Sequence, residues 1–424
     1  MRKKSRLAAI GCGGRTQTYM SIAATLPEHY ENVAVADPVA VRREAMRTIS
    51  GNADIALYHD DKDILSVPKL ADVMIIGTQD DYHVEPCLRA MEAGYDILLE
   101  KPIAPTMAEV RELADAAKCL DRRVLVCHVL RYTPFYKKVK EIIDSGALGA
   151  VESVNAREGV GAWHQAHSYV RGHWAVTDKC SPMIIAKSCH DLDILYWLIG
   201  RPCKSVASYG GLSHFTENNK PEGSPLRCTD GCPLGLDCMY NALHYMDRNR
   251  ELLHLVMDGG AAAAPDEIEA WLRQSPWGRC VYSCDNTAVD HQVVAMEFEG
   301  GVTATFTMTA FDEGRSIEIF GTKARLVGGA AYKETCGDDI VVTDHADGRQ
   351  VRHNVEFDDL GYSGHGGGDF GLMQALHEEM RCSAPEQMLS SIHTSVMSHA
   401  MGFAAEKARL TGTTVRVEDF ECKE

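Results

Sequence analysis

The chain lacks any apolar run approaching the ~20 residues that a membrane-spanning helix needs, so a helical membrane protein is not expected. Positive charge is also scarce: 43 Lys and Arg against 60 Asp and Glu leave a formal net charge of −17. With no basic block to offset it, that charge argues against nucleic acid and anionic membrane surfaces as partners. No export signal is expected either. Met1-Arg2-Lys3-Lys4 is basic and Ala9-Ile10-Gly11-Cys12 loosely resembles a lipoprotein cleavage box. Yet only Leu7 to Ile10 are apolar, short of the roughly 7–15 residues of a signal core. A cytoplasmic protein with reduced thiols is therefore expected, despite its 15 scattered cysteines.

What is present reads as an α/β enzyme. At 424 residues the chain exceeds one ordinary core, so two domains are expected, 1–128 and 129–424. Leu7 to Ile10 forms a first strand, Gly11-Cys12-Gly13-Gly14 a turn, Gln17 to Leu26 a helix, and Val33 to Ala36 a second strand ending at Asp37. Glycines let backbone approach a pyrophosphate, which the following helix N-terminus attracts. A carboxylate at Asp37 meets the ribose hydroxyls and repels a 2′-phosphate, favouring NAD over NADP. Arg42 and Arg43 lie close enough to weaken that preference, and Thr16 stands where a third Gly or Ala is usual. Strand–helix alternation continues through Ala71 to Gly77 and Tyr95 to Leu99, implying a Rossmann-type parallel sheet. Asp37, Thr78 and Glu100-Lys101-Pro102 fall at the carboxyl ends of its strands.

The glycine turn, Asp37, the segment Thr78 to His83, Glu100-Lys101-Pro102 and Lys187-Ser188-Cys189-His190-Asp191-Leu192-Asp193 together resemble the Gfo/Idh/MocA oxidoreductases. The resemblance implies oxidation or reduction of a sugar, glycoside or polyol CH–OH group with a nicotinamide cofactor. It implies Lys101 at the nicotinamide and reacting hydroxyl, and His190 as proton acceptor or donor. Gly11, Cys12, Gly13, Gly14, Arg15, Asp37, Thr78, His83, Glu100 and Lys101 would form the cofactor site. One departure stands out: many members carry an Asp four residues before this His, and here the position is Ala186.

The second domain is expected to be α+β, with a large, mostly antiparallel open sheet. Val151 to Asn155, Val289 to Phe298, Val302 to Thr309 and Ser316 to Phe320 supply strands, and Gly300-Gly301 a hairpin turn. The resemblance assigns homo-oligomerisation to its open face. Arg131, Tyr132, His164, His167, Arg171, Trp174, Lys187 and His365 are the candidate substrate contacts, several from aromatic and His-rich segments of the mixture sugar sites use. An insertion near 213–286 carries Cys228, Cys232, Cys238, Cys280 and Cys284. Four of these, with Cys280 or Cys284 as the fourth, would suit a structural zinc. No spacing among them is CxxC, and unliganded thiols are the favoured account. Two further functions stay open: a glycosidase working by transient oxidation and elimination on a retained NAD, and a non-catalytic sensor of NAD or sugar.

Overall fold

The computed structural model describes residues 3–257, 260–336, 339–356 and 364–421. Strands β1 (Ser5–Ile10), β2 (Tyr30–Ala36), β3 (Ala56–Tyr58), β4 (Val73–Ile76), β5 (Asp96–Leu99) and β6 (Val124–Val126) form an all-parallel sheet in the order β3-β2-β1-β4-β5-β6. That order reverses between β1 and β4, the Rossmann arrangement. All four residues of β4 are buried, as expected for a strand covered on both faces.

Side chains alternate across this sheet with a period of two. Leu7, Ala9, Val35, Val73, Ile75, Leu98 and Leu125 enter one apolar cluster, while Ala8, Ile10, Met74, Ile76, Ile97 and Leu99 enter the other. The first cluster is closed partly by the far end of the chain. Phe370, Leu372, Met373 and Leu376, on the helix Gly368–Glu379, pack against Tyr19 and Met20 of the helix Gly14–Thr25. The helix Ile392–Thr411 likewise joins the opposite cluster. Helix periodicity marks an apolar face but not its partner, which is why this return was not legible in the sequence.

The second sheet has nine strands: β7 (Val151–Val160), β8 (Cys203–Gly211), β9 (His291–Phe298), β10 (Thr303–Thr309), β11 (Glu313–Gly321), β12 (Ala324–Gly329), β13 (Ile340–Asp344), β14 (Gln350–His353) and β15 (Val415–Arg416). They lie in the order β14-β13-β12-β11-β7-β10-β9-β8-β15. Every neighbouring pair is antiparallel except β7 and β10. β9 alternates strictly between exposed and buried residues and turns into β10 at Gly300-Gly301, as the sequence pattern predicted. Among the described residues, the segment between β8 and β9 holds short 3-10 turns and one α-helix, Pro265–Gln274. It has apolar clusters of its own: Phe215, Tyr240 and Val281 form one, and Tyr245, Ile268, Leu272 and Trp277 another. Among the described residues, no helix is long and apolar enough to cross a membrane.

Candidate active site

The carboxyl ends of β1, β4 and β5 meet where the strand order reverses. Gly11 follows β1 at φ +87°, and a Cβ on it would stand 2.7 Å from the Gly77 carbonyl oxygen. Gly13 caps the helix Gly14–Thr25 with no side chain bonded to the first-turn N–H groups. Bare backbone donors at a helix N-terminus suit a pyrophosphate, so these residues fit a dinucleotide. Cys12 is fully buried; burial, then the Asp37 charge, push its thiol up to about 12. It packs and does not react.

Asp37 braces the turn. Its Oδ2 accepts the Cys12 N–H and its Oδ1 the Val39 N–H, each at 2.8 Å. A carboxylate has about four acceptor sites, so room remains for ribose hydroxyls. Arg43 is drawn onto the Asp37 carbonyl oxygen, whereas Arg42 is exposed.

At the end of β5, Glu100 is buried and accepts from Arg15 Nε at 3.0 Å, from the Tyr19 hydroxyl at 2.5 Å and from the Lys101 N–H at 3.0 Å. Burial works against this charge, but Arg15 and Lys101 outweigh it and hold the carboxyl below its usual value. Arg15 also donates through Nη1 to Asp369 at 3.0 Å. Two carboxylates thus occupy its donors, making Arg15 a clamp between distant segments. His83 is buried as well, with Nδ1 2.8 Å from the Pro102 carbonyl oxygen and Nε2 3.2 Å from that of Thr78. It ties the half-exposed Thr78 loop to the loop after Lys101.

The Lys101 ammonium donates to the Ala186 carbonyl oxygen at 2.9 Å. His190 lies four residues further on, in the first turn of the next helix, Cys189–Ile199. It is 3% exposed, and its Nδ1 is buried without a hydrogen-bond partner. Burial, then Lys101, His365 and His128, hold its pKa well below the usual imidazole value. His190 is therefore neutral at pH 7 and competent to accept a proton.

Other groups surround it. The His365 ring lies 5.6 Å from that of His190, on a left-handed backbone (φ +49°) that costs a non-glycine residue about 1–3 kcal/mol. Its Nδ1 is 3.2 Å from Asp369 Oδ2. His164 lies at the rim. Burial, then Lys187, His167, Lys101 and His365, lower its pKa to about 3. His164 is exposed, but four neighbouring cationic or imidazole groups still disfavour its protonation. Lys187 pairs with Glu158 at 3.3 Å, Glu158 with Arg315 at 2.9 Å, and Arg315 with Asp191 at 2.8 Å. Burial lowers the Lys187 pKa despite Glu158.

Lys101, His164, Lys187, His190 and His365 thus come together. Four other expected contacts are buried and bonded within the protein. Arg131 forms a bidentate pair with Asp193, at 2.7 Å through Nε and 2.7 Å through Nη2. Tyr132 bonds Glu379 and Ser390 in the core. His167 lies 2.6 Å from the Tyr245 hydroxyl. Arg171, 1% exposed, bonds the carbonyl oxygens of Arg279 and Tyr240. These two belong to a buried π-helical turn, Gln165–Val170, and the residue after it, where the aromatic and His-rich pattern supports the insertion instead. Trp174 takes an intermediate place, its indole N–H donating to Asp80 at 3.0 Å beside the first sheet.

The sequence did not mark Asp369 as the partner of His365 and Arg15. It also missed His128, fully buried, its ring 5.9 Å from that of His190. Neither His128 nitrogen is hydrogen-bonded.

A family model described as an oxidoreductase family, NAD-binding Rossmann fold, matches residues 5–128. A second, its C-terminal alpha/beta domain, matches residues 140–417. The chain belongs to the Gfo/Idh/MocA oxidoreductase family. Among curated relatives it is 27% identical over 263 residues to the putative oxidoreductase YteT of Bacillus subtilis, a match covering 60% of this chain and 59% of that protein. It is 27% identical over 255 residues to inositol 2-dehydrogenase of Salmonella typhimurium, covering 58% and 69%. Among solved structures, an oxidoreductase from Agrobacterium radiobacter in complex with NAD+, L-tartaric acid and magnesium superposes with TM-score 0.71 at 13% identity, covering 98% of this chain and 99% of that one. Levoglucosan dehydrogenase in complex with NADH and levoglucosan gives TM-score 0.69 at 16% identity, covering 98% and 100%. At such identities the structures establish the fold alone.

Proposed function

We propose that this family member is an NAD-dependent dehydrogenase of a sugar, glycoside or polyol, with Lys101 and His190 at the reacting hydroxyl. One observation carries the reading: a neutral, buried His190 stands four residues beyond the carbonyl that holds the Lys101 ammonium, at the start of the next helix. Bound NAD supplies the acceptor for hydride. His190 takes the hydroxyl proton, and Lys101 stabilises the alkoxide character that develops on the oxygen. In the reverse direction His190 returns the proton. Asp37 favours NAD over its 2′-phosphorylated form, because a second anion there meets an unneutralised carboxylate. His164, Lys187 and His365 face the sugar, and Trp174 lines the edge. The exposed outer residues of β8 and β9, Tyr209 and Val293 among them, form the surface for a second copy of the chain.

The hydrolytic alternative needs a protonated group beside the leaving aglycone. His164 is held deprotonated at neutral pH, which favours the redox reading. Absorbance at the NADH band, followed with NAD and a panel of sugars, cyclitols and glycosides, tests it. Turnover that falls about 10²–10⁴-fold in Lys101→Met and His190→Ala while NADH binding persists is expected. Release of nitrophenol from a chromogenic glycoside without net NADH establishes hydrolysis instead. Tight cofactor binding with neither reaction indicates a sensor.

A further inference from the structure

Four of the insertion's cysteines converge. Cys228, Cys232, Cys238 and Cys280 line one cavity of about 10 Å³, with Tyr240 and Tyr282 among the walls. This volume admits a single water-sized body, not a polynuclear cluster. All four are free thiols. Cys228 and Cys280 meet through a short antiparallel pairing: Arg227 bridges Arg279, Cys228 N–H donates to the Gly278 carbonyl at 2.9 Å, and Cys280 N–H to that of Leu226 at 2.9 Å. That register makes the two cysteines diagonal neighbours on one face. Cys284 sits outside the cavity, its thiol turned back to the Cys280 carbonyl oxygen at 3.3 Å.

A second observation points to negative charge at this place. Arg171 is 1% exposed, and no carboxylate pairs with it among the described residues. Its Nη1 is buried without a hydrogen bond, and its Nη2 lies 3.8 Å from Cys228 Sγ. A buried guanidinium without an anion is costly.

We infer that Cys228, Cys232, Cys238 and Cys280 form a tetrathiolate zinc site whose charge Arg171 partly neutralises. Binding is not a redox step: four thiols lose four protons to solvent as four Zn–S bonds form, leaving a centre of net charge −2. Among the described residues no three of these sulfurs lie within 4.8 Å of one another. Tetrahedral zinc, at about 2.3 Å from each sulfur, draws them inward by rotation about χ1. The metal pins the insertion beneath the segment carrying His164 and Arg171. It is structural and independent of the redox chemistry proposed above.

The test is zinc content of the full chain purified without chelator, with NADH binding measured on the same sample. About one zinc per chain is expected, lost in Cys280→Ser and kept in Cys284→Ser. Cobalt substitution of the unaltered protein should give tetrahedral thiolate absorption, a reading that survives any folding defect of Cys280→Ser. Zinc well below one per chain after incubation with zinc chloride overturns the site, whether or not NADH binds. So do disulfides among the four cysteines, iron in place of zinc, or equal zinc in both variants.

Discussion

Thr16 and Gly77 are matched: a Cβ built on Gly77 would stand 2.2 Å from the Thr16 hydroxyl oxygen. Thr16 occupies the place where the dinucleotide fingerprint usually has a third small residue, and it is fully buried. Absence of a side chain at Gly77, just after β4, makes the room that a glycine on the helix would otherwise provide. The close packing of helix against strand is kept, with the small residue moved to the strand side.

This pairing predicts a size-swap. Gly77→Ala should destabilise the chain by about 1–3 kcal/mol, the usual cost of overpacking, and weaken NADH binding. Adding Thr16→Ala should recover most of the loss, because the hydroxyl that meets the new methyl is gone. Urea unfolding of the four proteins in a double-mutant cycle measures the coupling. Additive effects would show that the contact does not govern the packing.

The link between Arg15 and Asp369 crosses the chain and predicts a joint loss. Burial opposes the Asp369 charge, yet His365 and Arg15 outweigh it and hold its carboxyl well below the usual value. Asp369→Asn removes that charge from both partners. Because Arg15 is one-third exposed, the stability cost should be modest, about 1–2 kcal/mol. Turnover should fall further than stability accounts for, since His365 loses the group that fixes its ring beside His190. A variant with lowered melting temperature but unchanged kcat would confine Asp369 to a structural role.

The legible parts of this protein were those whose information is local. The run Leu7 to Ile10, the turn at Gly11, the acid at Asp37 and the Glu-Lys-Pro after β5 each lie within a few residues, and β9 announces itself by strict alternation. What could not be read was partnership between distant residues. Arg131 sits beside plausible site residues in sequence, but Asp193, 62 positions on, draws it inward. His128 has neighbours that mark only a buried strand end, and nothing local announces its approach to His190. The cysteines were legible as a group, whereas the choice between Cys280 and Cys284 depended on the pairing of Arg227 with Arg279.

With His190 as the base proposed above, its electrostatics should set the pH dependence of turnover. Protonation disables it as a base, and its pKa lies well below the usual value through burial first and Lys101 second. The acid limb of kcat/KM for alcohol oxidation should therefore lie well below the usual imidazole range. Lys101→Met removes a positive charge, so the His190 pKa rises and the limb moves to higher pH, on a rate reduced about 10²–10⁴-fold. Lys101→Arg should leave the limb near its original position. A limb that does not move in Lys101→Met would mean that another group controls it.

Stability should depend on pH through buried histidines. Burial lowers the His128 pKa to about 4, with Asp193 opposing, and that of His399 to about 3. Unfolded, both titrate near 6.5. Between these values the unfolded chain binds protons that the folded chain excludes, so stability is full above pH 6.5 and falls as pH drops. The slope is about 1.4 kcal/mol per pH unit for each such histidine, at pH values well inside the window. His128→Leu keeps a similar volume, removes two buried nitrogens that make no hydrogen bond and removes one of the titrating groups. Urea midpoints between pH 6.5 and 5 should then decline less steeply by about one proton's worth. An unchanged slope would show that His128 already carries its proton in the folded chain.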